Sequence, residues 1–118
     1  MIALKRVYEE PDPGDGLRIL VDRLWPRGVK KEAAHLDRWE KDLAPSDDLR
    51  RWFAHDPEKW PEFRRRFREE LADKGTLLHE LARQAGKGRV TLLYAAKDEE
   101  HNNAVVLKEL LEEQGHGG

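Results

Sequence analysis

Two stretches of the chain concentrate side chains able to bind or transform a ligand. The first, Asp22-Arg23-Leu24-Trp25-Pro26-Arg27-Gly28, places two guanidinium groups beside a carboxylate and an indole. Arg23 and Arg27 can each offer a fork of donors to a phosphate or carboxylate. Trp25 can stack on a flat ring, and Asp22 can accept a hydroxyl or a proton. The second stretch, Ala96-Lys97-Asp98-Glu99-Glu100-His101-Asn102-Asn103, holds the best candidate for a general acid or base. An unperturbed imidazole titrates at about pH 6.5, so His101 can exchange protons near neutrality, with Asp98 to orient it. Asn102 and Asn103 can donate hydrogen bonds to a substrate or a developing oxyanion. Lys97 adds a cation. The types therefore assign catalysis to His101, Asp98 and Asp22, and ligand binding to Arg23, Trp25, Arg27, Lys97 and Asn102.

Each of these residues also has a structural use. Arg23 can pair with a carboxylate, and Trp25 can fill core beside Pro26. Asp98 suits a helix cap, with Glu99 and Glu100 complementing the dipole of a first turn. The same acidity disfavours a phosphate at that helix end, which leaves Arg23, Arg27 and Lys97 to hold an anion.

Two apolar strands must position these stretches. Leu17–Val21 (L-R-I-L-V) and Arg89–Ala95 (R-V-T-L-L-Y-A) are nearly continuous apolar runs, as expected of strands covered on both faces. Between them lies a long helical region, from Lys30 to Gly86, and a crossover of that length favours parallel pairing. Both polar stretches then leave the sheet at the same edge, where ligands of open α/β sheets bind. Ile2–Tyr8 adds a strand whose direction is open, since the turn-rich Glu9–Gly16 connection would also permit a hairpin. Within the helical region Leu36, Trp39 and Leu43 fall at helical spacing, and Pro45 stops that helix. Ser46 caps a short helix carrying Leu49, Trp52 and Phe53. A longer helix starts near Trp60, carries Phe63, Phe67 and Leu71, and ends at Gly75. Thr76–Ala85 follows, closed by Gly86. A last helix runs from about Glu99 to Glu113. The pattern predicts an α/β sandwich, a small, mainly parallel or mixed sheet of about three strands covered by helices. One domain spans residues 1–113, and 114–118 form a disordered tail.

Composition narrows the function classes. The chain has 118 residues, enough for one core and too few for two. Its net charge of −2 gives no general attraction to nucleic acid or anionic lipid. The absence of cysteine excludes disulfides, thiol nucleophiles and cysteine-ligated metals. His35, His55 and His79 lack metal-ligand spacing, so neither a metal nor another cofactor is predicted. The Arg64–Arg68 run is interleaved with Glu62, Glu69 and Glu70 and reads as a solvated helix face, making nucleic acid the weakest partner. No apolar run approaches a membrane span, and no secretion signal is visible at the amino terminus, so a cytoplasmic protein is expected. Phosphate-binding loops of the G-x-x-x-x-G-K type, G-x-G-x-x-G and G-x-S-x-G are all absent from the sequence.

Three longer motifs point to a family. They are R-I-L-V-D-R-L-W-P-R-G-V (Arg18 to Val29), L-A-P-S-x-x-L-R-x-W-F-x-H-D-P (Leu43 to Pro57) and L-L-Y-A-A-K-D-x-x-H-N-N-A (Leu92 to Ala104). Together they resemble the YeaO-like branch of the bacterial and archaeal family known as domain of unknown function 488. The resemblance implies a small intracellular α/β domain and no particular reaction. It implies signature roles for Asp22, Arg23, Arg27, Asp98, His101 and Asn102. It also brings in Trp52, His55 and Asp56 as a third wall of the same crevice. Cysteine-dependent chemistry of longer relatives does not carry over. The expected function is binding of a small anionic or nucleotide-like ligand, with or without its conversion. The alternative is a non-catalytic regulatory or protein-binding module. Oligomeric state is left open.

Overall fold

The computed structural model of the chain describes residues 1–116. Four strands, β1 (Ile2–Arg6), β2 (Leu17–Leu20), β3 (Arg38–Trp39) and β4 (Val90–Tyr94), form one sheet in the order β1-β4-β2-β3. Every neighbouring pair is parallel. β4 lies between β1 and β2, so the hairpin that the short Glu9–Gly16 connection would permit does not form. The ten residues between β1 and β2 instead return along the sheet. Extended, they reach about 33 Å, ample for the roughly 17 Å of a five-residue strand. A one-turn helix, Pro13–Asp15, ends this return under a reciprocal cap between Asp12 and Asp15. Gly16 follows with φ of 67°, and a Cβ there would stand 2.2 Å from the Arg89 carbonyl oxygen. Only glycine allows that approach, which lets Leu17 N–H donate to the same carbonyl at 3.0 Å and start the β2–β4 register.

Side-chain alternation divides the sheet into two faces. Ile2, Ile19, Val21, Val90, Leu92 and Tyr94 enter the main core under helices α2 (Asp47–Phe53), α3 (Trp60–Glu70), α4 (Gly75–Lys87) and α5 (Asn103–His116). Phe63, Phe67, Leu81 and Leu107 supply much of the helical side of that core. On the other face Val7, Leu20 and Leu93 meet a thinner layer of Trp25, Val29, Leu36 and Trp39. The chain from Arg23 to Glu40, including the single-turn α1 (Lys31–Ala34), provides this layer. The result is an α/β sandwich.

Arg18, read as part of an apolar strand, is the polar centre of the second face. It is buried, and its guanidinium donates to Asp15 and to the carbonyls of Ala34 (2.9 Å) and His35 (3.1 Å). Lys5 also holds Asp15, at 3.1 and 3.2 Å. Burial is the largest influence on the Asp15 carboxyl and pushes it up. Bonds from the Asp12 backbone, Lys5 and Arg18 together outweigh it and hold Asp15 below the usual carboxylate range.

Local readings of the sequence fail in the helical region and at the start of α5. Leu36, Trp39 and Leu43 do not form a helix. Asp37 and Glu40 N–H groups donate to Arg18 and Leu20 carbonyls at 2.9 Å, adding β3 to the open edge of β2. Leu36 and Trp39 pack on one side of the sheet and Leu43 on the other, so their helical spacing is coincidental. Gly75 does not end α3, which stops at Glu70 and passes through a turn at Leu71–Asp73. Gly75 starts α4 instead, and Gly86 lies inside that helix. α5 begins at Asn103, not near Glu99. It continues to His116, into the segment expected to be a disordered tail, and residues 117–118 of that segment lie outside the described residues.

Candidate functional site

Because β2 and β4 are parallel, the chain leaves both at one edge, through Asp22 and Ala95 respectively. A cleft of about 460 Å³ opens there, between this edge and the segment joining β3 to α3. The Asp22 carboxylate fastens the edge. It accepts from the Ala95 N–H at 2.9 Å and from the Asn103 amide at 3.1 Å. The same Asn103 nitrogen donates to the Val21 carbonyl at 2.9 Å, tying the first turn of α5 to the end of β2. Burial is the dominant influence on Asp22 and pushes its carboxyl above the usual range, against the bonds from Asn103 and Ala95 and the charge of His55. No cationic side chain forms an ion pair with Asp22 among the described residues.

Around this carboxyl the cleft is basic. Arg23 donates through Nε to the Pro45 carbonyl at 3.3 Å and forms no ion pair among the described residues, leaving its outer nitrogens for a ligand. Lys97 stands exposed on the wall, also without an ion-pair partner among those residues. Arg50 adds a third cation, held only loosely by Asp47 at 3.4 Å on the surface. The apolar part of the lining includes Phe53 and Phe63, whose rings stack with centroids 4.2 Å apart.

His55 reaches the cleft through a sharp backbone feature. Ala54 ends α2 with φ of 47°, and His55 continues in the left-handed region with φ of 58°. Two successive non-glycine residues in that region cost on the order of 1 kcal/mol each. The turn is held by the Ala54 N–H on the Arg50 carbonyl at 3.0 Å and the Asp56 N–H on the Phe53 carbonyl at 2.9 Å. Asp56 then caps the Pro57–Lys59 turn, accepting from the Glu58 N–H at 3.0 Å.

Asp22, Arg23, His55, Lys97 and Asn102 therefore meet at one cleft. The other residues expected at the site do not line it. Trp25 lies on the opposite face, its indole donating to the Val29 carbonyl at 2.7 Å and its ring edge-on to Trp39. Arg27 is exposed outside the lining, and its carbonyl accepts from the Tyr8 hydroxyl at 3.0 Å. Trp52 sits between Lys59 and Arg66, at 5.2 and 4.5 Å from its ring centre. Asp98 and His101 bond one another at 2.9 Å, and the Asp98 carboxylate also accepts from the backbone of Glu100 and His101. Those bonds, with the Glu100 backbone contributing most, hold Asp98 below the usual range. The imidazole of His101 packs edge-on against Trp60, which in turn stacks on Phe63, and neither His101 nor Trp60 lines the cleft. Asn102 touches the cleft but is buried as a structural cap. It accepts from the Val105 N–H at 3.1 Å and donates to the Asp98 carbonyl at 2.9 Å.

Arg50, Phe53 and Phe63 are among the lining residues that sequence reasoning overlooked. The signal lay in the motif from Leu43 to Pro57, which contains Ala44, Pro45, Arg50, Phe53 and His55, all on the cleft. The arginine run on α3 is neutralised: Arg65 and Arg66 grip Glu62, holding it down to about 2, while Arg64 and Arg68 reach Glu109 and Glu113 on α5. Among the described residues no group of three or more His, Asp or Glu is placed to hold a metal ion. No helix among them is long and apolar enough to cross a membrane.

Comparison with known proteins adds a family to this geometry. The model described as "Inactive DUF488-N3 subclade" matches residues 1–117, essentially the entire chain. The chain belongs to the DUF488 family. Within it, YeaO of Escherichia coli is 44% identical over 110 residues, covering 93% of this chain and 96% of that protein. The uncharacterized protein Rv3073c of Mycobacterium tuberculosis is likewise 44% identical, covering 93% of this chain and 92% of its own length. These matches support membership of the YeaO-like branch of DUF488. No solved structure matches the chain.

Proposed function

We propose that this DUF488 protein binds a small organic anion, without converting it, in the cleft at the carboxyl ends of β2 and β4. The observation that carries the reading is the pairing of two cations lacking carboxylate partners among the described residues, Arg23 and Lys97, with an aromatic floor of Phe53 and Phe63. Arginine matches carboxylate or phosphate oxygens in pairs, and a water-poor wall strengthens such contacts. The floor accepts the flat or apolar body of the same molecule, which includes a nucleotide-like ligand.

Binding is favoured over catalysis by two observations. The acid–base pair with the best local geometry, Asp98 and His101, lies outside the cleft lining, its imidazole against Trp60. The matching subclade is described as inactive. This arrangement suits a cytoplasmic ligand-responsive module. A thermal-shift screen against nucleotides, sugar phosphates and aromatic or aliphatic carboxylates tests it. A ligand at 100 times its dissociation constant stabilises by about 2.7 kcal/mol. The expected result is a shift that Arg23→Ala and Lys97→Ala each diminish, with the ligand recovered unchanged. A shift indifferent to both substitutions, or no shift at all, overturns the proposal.

A further inference from the structure

The cleft holds one group that an anion site does not call for. Asp22 faces a cavity otherwise ringed by Arg23, Arg50 and Lys97, and it is the only carboxylate among the lining residues. A carboxylate withdrawn from water at an anion site weakens that site by repulsion, and it costs stability unless a cation or several donors satisfy it. Its two internal bonds, from Ala95 and Asn103, use one position on each oxygen. An ionised carboxylate has about four acceptor sites, so roughly two remain for a ligand donor. The charge of His55, another lining residue, acts on Asp22, and no lysine or arginine forms an ion pair with Asp22 among the described residues.

Resting on the anion-binding reading above, we infer that the ligand is a zwitterion: an ammonium or similar cationic donor meets Asp22 while its anionic group meets Arg23 and Lys97. The stacked Phe53 and Phe63 rings add an apolar or aromatic substituent to that pattern. An α-amino acid or related amine-bearing acid with an apolar side chain has all three parts within the dimensions of a 460 Å³ cleft. The burial that raises the Asp22 carboxyl accords with a charge awaiting a partner: an ammonium brought to it favours the ionised form, so binding tightens as pH rises through the Asp22 titration.

Matched probes that differ only in the amine test the assignment by titration calorimetry. L-phenylalanine is compared with 3-phenylpropionate, and L-tryptophan with indole-3-propionate, on the full chain and on Asp22→Asn. The amine-bearing member of at least one pair is expected to bind the unsubstituted protein about tenfold or more tightly than its partner. Asp22→Asn is expected to erase that advantage while binding the propionate at least as tightly as the unsubstituted protein does, because the repulsion between the two carboxylates is gone. If the propionates bind as well as the amino acids, the zwitterion assignment fails and the anion reading stands. An amine preference that survives Asp22→Asn also overturns the assignment, because another group would then anchor the cation. Absence of binding by all four probes overturns it as well, and the nucleotide and sugar-phosphate arms of the thermal screen then decide the anion reading separately. Should Asp22→Asn not fold, the pH dependence of the amine preference is measured in the unsubstituted protein instead: a preference that grows with rising pH supports the inference, and one that does not grow refutes it.

Discussion

Arg18→Met removes the charge at the centre of the second face while keeping most of the side chain's length and apolar contacts. Two backbone carbonyls, those of Ala34 and His35, lose their guanidinium donor, and Asp15 is left with Lys5 as its only cationic partner. Arg18 and Asp15 are each 5% exposed, so water replaces these bonds poorly. Each buried acceptor left unpaired costs about 1–2 kcal/mol, and the weakened Asp15 pair adds a fraction of the several kcal/mol expected of a buried charge stripped of all partners. The sum is about 3–5 kcal/mol. A domain near this size loses roughly 3–6 °C of melting temperature per kcal/mol, which predicts a fall of about 10–30 °C. Thermal denaturation followed by circular dichroism reads it directly. The pH dependence supplies a second check. The folded Asp15 titrates below its unfolded value, so its stabilisation is present above the unfolded carboxylate range and is lost as pH falls through the folded pKa. The variant, keeping only the Lys5 contribution, should lose less stability between neutral and acid pH. A melting temperature within about 3 °C of the unsubstituted protein would refute the reasoning, because it would mean that the network carries no net stabilisation.

Three further outcomes follow from the same geometry. Gly16→Ala forces a Cβ onto the Arg89 carbonyl at a left-handed φ, and chemical denaturation should show a loss of about 2–4 kcal/mol; a loss under 0.5 kcal/mol contradicts the close approach. His101→Ala gives up an edge-on contact with Trp60 and a half-exposed bond to Asp98, so stability should fall by about 1 kcal/mol while ligand affinity changes less than twofold; a large affinity loss would return His101 to the site. Asp22 has the opposite linkage to Asp15: its raised pKa makes its contribution largest below the unfolded carboxylate range and declining as pH rises through the folded value. Asp22→Asn should remove that decline from the pH–stability profile, and an unchanged profile would show that Asp22 is not held above its unfolded pKa.

The sequence revealed the sheet edge and much of the cleft. The continuous apolar runs around Ile19 and Leu92, separated by a long helical crossover, identified two parallel strands and hence the common exit of Asp22 and Lys97. The sequence could not separate the two faces of the sheet there, because both are covered. Trp25 thus read as a stacking wall when it seals the thin second layer against Trp39. β3 escaped notice because its two residues are too few for a periodic signal, and their pairing depends on an open strand edge distant in sequence. Arg18 was hidden in an apolar run because its partner Asp15 precedes the strand and its carbonyl partners lie beyond it in the α1 region. His101 illustrates the limit of side-chain chemistry as a guide. Its spacing from Asp98 gives a well-formed pair, but α5 starts two residues later and turns the ring onto Trp60. His55 reaches the cleft only because two successive residues adopt left-handed φ, which is rare for alanine and uncommon even for histidine, one of the residues that visit it most.

Whether an organic anion occupies the cleft at the ends of β2 and β4 is decided by mapping a bound probe with backbone amide NMR. A hit from the thermal screen is titrated into isotope-labelled protein, and the shifted amides are followed to saturation. The largest changes are expected to cluster at Asp22, Arg23, His55, Ala95 to Lys97 and Asn103, and to need a higher probe concentration in Arg23→Ala. Changes centred on the α3–α5 surface around Arg65 and Glu113, or on the second-face layer around Trp25 and Arg27, would contradict it.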